Sequence, residues 1–229
     1  HCLLRRQRQM CIRDRNHIYW INKVLRELEL KELVYAGQDW GGPIGMGALS
    51  LSPELLKGAV LLNTGFNAPK VNADLSPAHA LVKTPVIGEL LLEVVFSIFE
   101  RLKSVQGNPD SWTSEVAEIY GRPVYESGNS KAPLAMMRMV PDGPNHQSAP
   151  SMRRIEEYVN TLEIPAEIVW GENDPILGRA LPIMQQNFPN ARLTKTTAGH
   201  FLQEEVPNEI AEALIRVVEE ITGSQTQKN

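Results

Sequence analysis

The chain has 229 residues, 42% apolar and 22% charged, the balance of a soluble globular protein built as one large domain or as a core with an insertion. Its formal net charge of -4 supplies no basic surface to displace counterions from a phosphate backbone, so nucleic-acid binding ranks low. No apolar run reaches the roughly 20 residues needed to cross a bilayer and no signal-peptide order opens the chain, so a cytoplasmic protein without membrane partners is expected.

Residues 1–15 hold five arginines and both cysteines, Cys2 and Cys11, with no strand or helix period. They read as foreign sequence rather than as a basic arm, and two cysteines there make no disulfide scaffold. Ile18, Ile21, Leu25 and Leu28 then recur at helical spacing and predict an amphipathic helix ending near Leu30. Leu33 to Ala36 is too short for a buried helix and predicts a buried parallel strand stopping at Gly37. Gly37-Gln38-Asp39-Trp40-Gly41-Gly42 follows, then a small-residue helix from Pro43 to Leu51 and a second strand from Ala59 to Leu62 that ends at Asn63. Strand, glycine turn, helix and strand make a right-handed βαβ unit.

From Pro69 to Asn160 the pattern changes to helices broken by proline and glycine, with Met and Leu concentrated in Leu90 to Leu102 and Ala132 to Val140. That region predicts a helical cap whose methionines are plain core. A second α/β block closes the chain. Ala166 to Trp170 is its first strand and leads into Gly171-Glu172-Asn173-Asp174. A helix from Ala180 to Phe188, a strand from Leu193 to Thr196 and an amphipathic helix from Glu209 to Ile221 follow. The expected division is 1–15 non-native, 16–68 and 161–229 as core, and 69–160 as cap.

The turn around Asp39 has the form small-x-nucleophile-x-Gly, in which a sharp strand-to-helix bend leaves no room for flanking side chains, accounting for Gly37 and Gly41. The bend lifts the central side chain beside the positive end of a helix, which favours a carboxylate. Gln38-Asp39-Trp40-Gly41-Gly42-Pro43, Gly171-Glu172-Asn173-Asp174-Pro175 and Ala198-Gly199-His200-Phe201 together resemble the haloalkane dehalogenase branch of the α/β-hydrolases, with the epoxide hydrolases close by. The three motifs keep that family's order of nucleophile, acid and histidine.

The resemblance implies an α/β-hydrolase fold, a mostly parallel sheet flanked by helices with an inserted cap, and Asp39, Asp174 and His200 as catalytic residues. A carboxylate nucleophile points to displacement at a saturated carbon, because the ester it leaves has a carbonyl that water can attack. A serine would leave an ether that water cannot easily cleave. His200 suits the base that deprotonates that water, and Asp174 the acid that orients it. The other acid position of the superfamily follows the strand Ala59 to Leu62, where Asn63 cannot carry charge. Trp40 is implied as a halide donor, its backbone N–H as half of an oxyanion hole, and Trp112 as a candidate second donor. Trp20 and Trp170 are packing residues.

Substrate and partner are then a haloalkane and water, with no cofactor and no metal. Epoxide hydrolysis is the alternative, with Tyr120, Tyr125 and Tyr158 available as acids, and a non-catalytic α/β-hydrolase binding protein is the second. In intact relatives several strands and a His-Gly turn precede the elbow. Here one helix does, so the early strands and the second oxyanion group are expected to be missing and this polypeptide to be inactive by itself.

Overall fold

The computed structural model describes residues 14–72, 77–90, 98–129 and 131–226, so almost all of the segment expected to be non-native, and residues 91–97 of the Leu90 to Leu102 stretch, lie outside it. Helix α1 (Asp14–Glu27) leads into strand β1 (Leu33–Gln38), helix α2 (Gly41–Leu49) and strand β2 (Leu56–Leu62). A long excursion carries helices α3 (Pro77–Lys83), α4 (Ser114–Glu126), α5 (Ala132–Met139) and α6 (Ala149–Val159), with shorter helical turns among the described residues between α3 and α4. Strand β3 (Ala166–Gly171), helix α7 (Leu181–Asn187), strand β4 (Arg192–Thr196) and helix α8 (Pro207–Thr226) complete the chain. Among the described residues no helix is long and apolar enough to cross a membrane.

The four strands form one parallel sheet in the order β1-β2-β3-β4, so chain order and spatial order coincide. β2 reads Leu-Lys-Gly-Ala-Val-Leu-Leu and is buried on both faces, as a central parallel strand must be. One face packs Met46 and Leu49 of α2, Met152, Ile155 and Val159 of α6 and Met184 of α7 against Leu61, Ile168 and Trp170 of the sheet. The other face packs Val60, Leu62 and Val169 under Ala213 and Val217 of α8. Helices α2, α6 and α7 thus lie on one side of the sheet and α8 on the other. The final helix of the expected 69–160 insertion therefore contributes to the sheet core.

The expected apolar stripe of α1 is realised only in half. Ile18 and Leu25 pack on the core, whereas Ile21 and Leu28 are 42% and 63% exposed. The inward face runs instead through Asn22, whose Nδ2 donates to Ala48 O and Ser52 Oγ at 2.9 Å each and ties α1 to the end of α2. A buried amide can replace an apolar residue in such a stripe because its donors are satisfied.

Candidate active site

The sheet delivers one polar residue at the end of each strand. After β1, Asp39 turns the chain with φ of 46°, a left-handed conformation that costs a non-glycine residue on the order of 1 kcal/mol and marks a constrained turn. Two bonds from the β2 end hold it there: Asp39 N donates to Asn63 O at 3.1 Å, and Thr64 Oγ1 donates to Asp39 O at 2.7 Å. A Cβ on Gly42 would lie 1.9 Å from Thr64 Oγ1, whereas one on Gly41 would meet nothing nearer than Tyr35 Oη at 3.9 Å. The steric demand of the bend thus falls on Gly37 and Gly42 rather than on Gly37 and Gly41. The hydroxyl of Tyr35 caps the turn from below by donating to Gly41 O.

His200 follows β4 in the loop Thr197 to Phe201. Its Nδ1 lies 3.0 Å from Asp174 Oδ2 and its Nε2 3.9 Å from Asp39 Oδ2, so the three expected residues converge. The side chains of His200 and Asp174 are 5% and 0% exposed, while that of Asp39 is 39% exposed, so an open carboxylate is backed by a sealed imidazole–carboxylate pair. Burial alone would favour the neutral imidazole, but the hydrogen bond to Asp174 and the charges of Asp39 and Asp174 outweigh it and raise the His200 pKa. Burial likewise pushes Asp174 up, and the bonds from His200, Asn63 and the Ile176 N–H reverse this and hold its carboxyl below the usual range.

Two residues without an expected role complete the arrangement. Asn63, fully buried at the end of β2, donates from Nδ2 to Asp174 Oδ2 at 2.8 Å and to Gly171 O at 2.9 Å, and accepts from Gly171 N at 2.8 Å. Having no charge, it serves as a donor to the acid. Gln38 donates from Nε2 to His200 O at 2.9 Å, and the same nitrogen lies 3.3 Å from His200 Nε2. The bond to a carbonyl fixes this atom as the amide nitrogen, so it can donate its other hydrogen to the lone pair of a neutral ring. The only signal for Gln38 in the sequence is its place beside Asp39.

The two tryptophans part company. Trp40 begins α2 beside Asp39, and neither its indole nor its backbone N–H has a partner among the described residues. Trp112 is 4% exposed and donates from Nε1 to Phe99 O at 2.7 Å, with its ring 4.7 Å from that of Phe201 and 4.9 Å from that of Tyr120. Its donor is spent on the backbone, so the expected second halide donor is a packing residue. Tyr120 donates to Glu204 Oε1 at 2.7 Å and its pKa is pushed up to about 12, first by burial and then by that glutamate. Tyr125 is 54% exposed, and Tyr158 buries its hydroxyl without a partner against the sheet core. A hollow of about 420 Å³ lies at the opposite end of the strands, between Glu163, Arg192 and Arg216.

The sequence matches the family described as alpha/beta hydrolase fold over residues 7–207. It is 25% identical over 221 residues to a cis-3-alkyl-4-alkyloxetan-2-one decarboxylase of Shewanella oneidensis, covering 94% of this chain and 69% of that protein. A haloalkane dehalogenase of Mycolicibacterium paratuberculosis is 26% identical over 202 residues, covering 87% of this chain and 64% of that one. The chain thus spans about two thirds of the length of these curated relatives. A loop variant of the haloalkane dehalogenase from Bradyrhizobium elkanii superposes with a TM-score of 0.81 at 15% identity, covering 95% of this chain and 77% of that one. The epoxide hydrolase CorEH superposes with 0.72 at 16% identity, covering 92% and 76%.

Proposed function

The chain belongs to the alpha/beta hydrolase fold family, and from that premise we propose that it acts as a hydrolase at saturated carbon, with Asp39 as nucleophile and a haloalkane as substrate. The observation that carries this reading is the convergence of three strand ends, which sets a carboxylate 3.9 Å from His200 Nε2 while Nδ1 of the same ring rests on Asp174. In the first step an oxygen of Asp39 forms a bond to the carbon as the carbon–halogen bond breaks, and the halide leaves with the electron pair toward the Trp40 indole N–H. In the second, His200 Nε2 takes a proton from water as the oxygen adds to Cγ of Asp39. The Trp40 backbone N–H receives the developing oxyanion, the imidazolium returns its proton to the departing alkoxide oxygen as the Cγ–O bond to the alkyl group breaks, and the carboxyl left on Asp39 ionises to solvent.

Halide rather than epoxide oxygen is favoured as the leaving group because a halide needs no acid. An epoxide oxygen needs one. Tyr120 is a poor acid, with a pKa pushed up to about 12 and its O–H already hydrogen-bonded to Glu204, and Tyr158 is committed to the core. The same absence of a suitable acid favours a second reading, in which Asp39 opens a four-membered lactone at its alkyl carbon, since the carboxylate so released also needs no proton. The similarity to the oxetanone decarboxylase supports that reading.

His200→Phe removes the base for the second step and traps the ester. Mass spectrometry after incubation with a bromoalkane is expected to show one alkyl group on the peptide holding Asp39. Trapping by a β-lactone alone promotes the second reading, and trapping by an epoxide alone overturns both. The absence of any adduct leaves a non-catalytic binding protein.

A further inference from the structure

We propose that residues Val105 to Asn108 form a strap that positions His200, locked by Glu205 and Gln106, so that the cap sets the aim of the base. This rests on the reading of His200 as the base for ester hydrolysis. Three successive backbone N–H groups of the histidine loop are bound from this side. Gly199 N donates to Glu205 Oε1 at 2.9 Å, His200 N to Val105 O at 2.8 Å, and Phe201 N to Gln106 Oε1 at 2.9 Å.

The strap is fastened by the same groups. Glu205 Oε1 also accepts from Gly107 N at 3.0 Å, and Glu205 Oε2 accepts from Asn108 N at 2.8 Å. One carboxylate therefore gathers three backbone N–H groups, two from the strap 98 and 97 residues earlier in the chain and one from 6 residues earlier. Gln106 closes a reciprocal pair by donating from Nε2 to Phe201 O at 3.3 Å, and its other hydrogen goes to Ser111 Oγ at 3.1 Å. The segments are in backbone contact: a Cβ on Gly107 would lie 2.1 Å from Thr197 O, and one on Gly199 2.3 Å from Val105 O.

An imidazole that must meet both an acid and an attacking water is sensitive to small errors, since a 1 Å misplacement costs on the order of a hundredfold in rate. Asp174 fixes one ring nitrogen and Gln38 the carbonyl, whereas the N–H groups of His200 and Phe201 are held by the strap and that of Gly199 by the glutamate that fastens it. Neither Gln106 nor Glu205 has a hydrogen bond to the His200 ring. They are positioning residues that act through its backbone.

The test uses the full chain with Glu205→Ala, the conservative Glu205→Gln, and Gln106→Ala as a milder variant that keeps the carboxylate. The first readout needs no substrate: the Nδ1 proton and ring resonances of His200 by NMR. Both alanine variants are expected to broaden or shift them while amide signals of β1 to β3 stay in place, with Glu205→Gln partly restoring them. The second readout separates the half-reactions with a bromoalkane. Ester breakdown is expected to slow about tenfold or more and halide burst to stay within about threefold, because only the second step uses His200. Unmoved His200 signals in both alanine variants overturn the proposal, as does equal slowing of the two steps. Failure of the parent chain to form any ester strikes the proposed function and leaves the NMR result to decide the strap.

Discussion

Asn63 and His200 share one oxygen of Asp174: Nδ2 of the amide donates to Oδ2 at 2.8 Å, and Nδ1 of the ring lies 3.0 Å from that atom. The Asp174 carboxylate is therefore held by a neighbouring strand on the same oxygen that meets the His200 ring. Asn63→Ala leaves the Gly171 peptide groups and that oxygen short of a buried partner, at a cost of about 1–3 kcal/mol. Urea unfolding is expected to show that loss with an unchanged slope, and a change below about 0.5 kcal/mol sinks the assignment.

The charge of Asp39 is one of the causes that raise the His200 pKa. Removing it with Asp39→Asn is expected to lower that pKa, read from the ring protons in an NMR titration. In the proposed mechanism esterification of Asp39 removes the same charge, which would free the imidazole as a base at the step that needs it. A titration midpoint equal to or above the parent's contradicts this coupling.

The pair also gives stability a pH signature. His200 has a folded pKa above its unfolded value, so its contribution is full below about 6.5 and is lost as pH rises through the folded pKa. Asp174 has a folded pKa below its unfolded value, so its contribution is present above about 3.8 and is lost as pH falls through the folded pKa. His200→Gln is expected to flatten the decline on the alkaline side, and Asp174→Asn to flatten the acid limb. Melting curves across pH 3 to 9 check both, with parent-like profiles as the contrary result.

Gly42→Ala places a methyl 1.9 Å from Thr64 Oγ1, the hydroxyl that holds the Asp39 carbonyl. Overpacking of this kind costs about 1–3 kcal/mol. Gly41→Ala, with open space beside it, is expected to change stability by less than about 0.5 kcal/mol. Thermal melts of the two variants should separate clearly, and equal losses contradict the local geometry.

Trp40→Phe removes an unpaired indole donor beside the nucleophile. A hydrogen bond to a charged partner contributes about 1.5–3 kcal/mol, so bromide affinity is expected to fall roughly tenfold or more. Trp112→Phe should leave it unchanged, because that indole donates to Phe99 O. Bromide quenching of tryptophan fluorescence checks the pair, and equal losses in both return Trp112 to the site.

The four strands and the principal helices of the core were legible as short apolar runs, helical periods and glycine turns, and the three motifs marked where the strands end. What stayed hidden was three-dimensional satisfaction of polar groups. Asn63 reads only as a residue that cannot ionise, and its role as donor emerges once β2 and β3 are seen to be neighbours. Trp112 reads as a spare donor because sequence cannot show that Phe99 O accepts its N–H. Ile21 and Leu28 satisfy helical spacing, yet the face of α1 that docks is chosen by Asn22, a residue that hydropathy assigns to solvent.

Because β2 and β3 stay in register from Ala59 opposite Ala166 to Leu62 opposite Val169, the hundred or so residues between them can lengthen or shrink without shifting the two strand tips. The segment between the two strands can thus be retailored while the strand tips that carry Asp39, Asn63 and Asp174 stay where they are. Two seams restrict that freedom, the few residues sewn to the histidine loop and the face of α6 that packs on the sheet, and any remodelling of the insertion has to leave both intact.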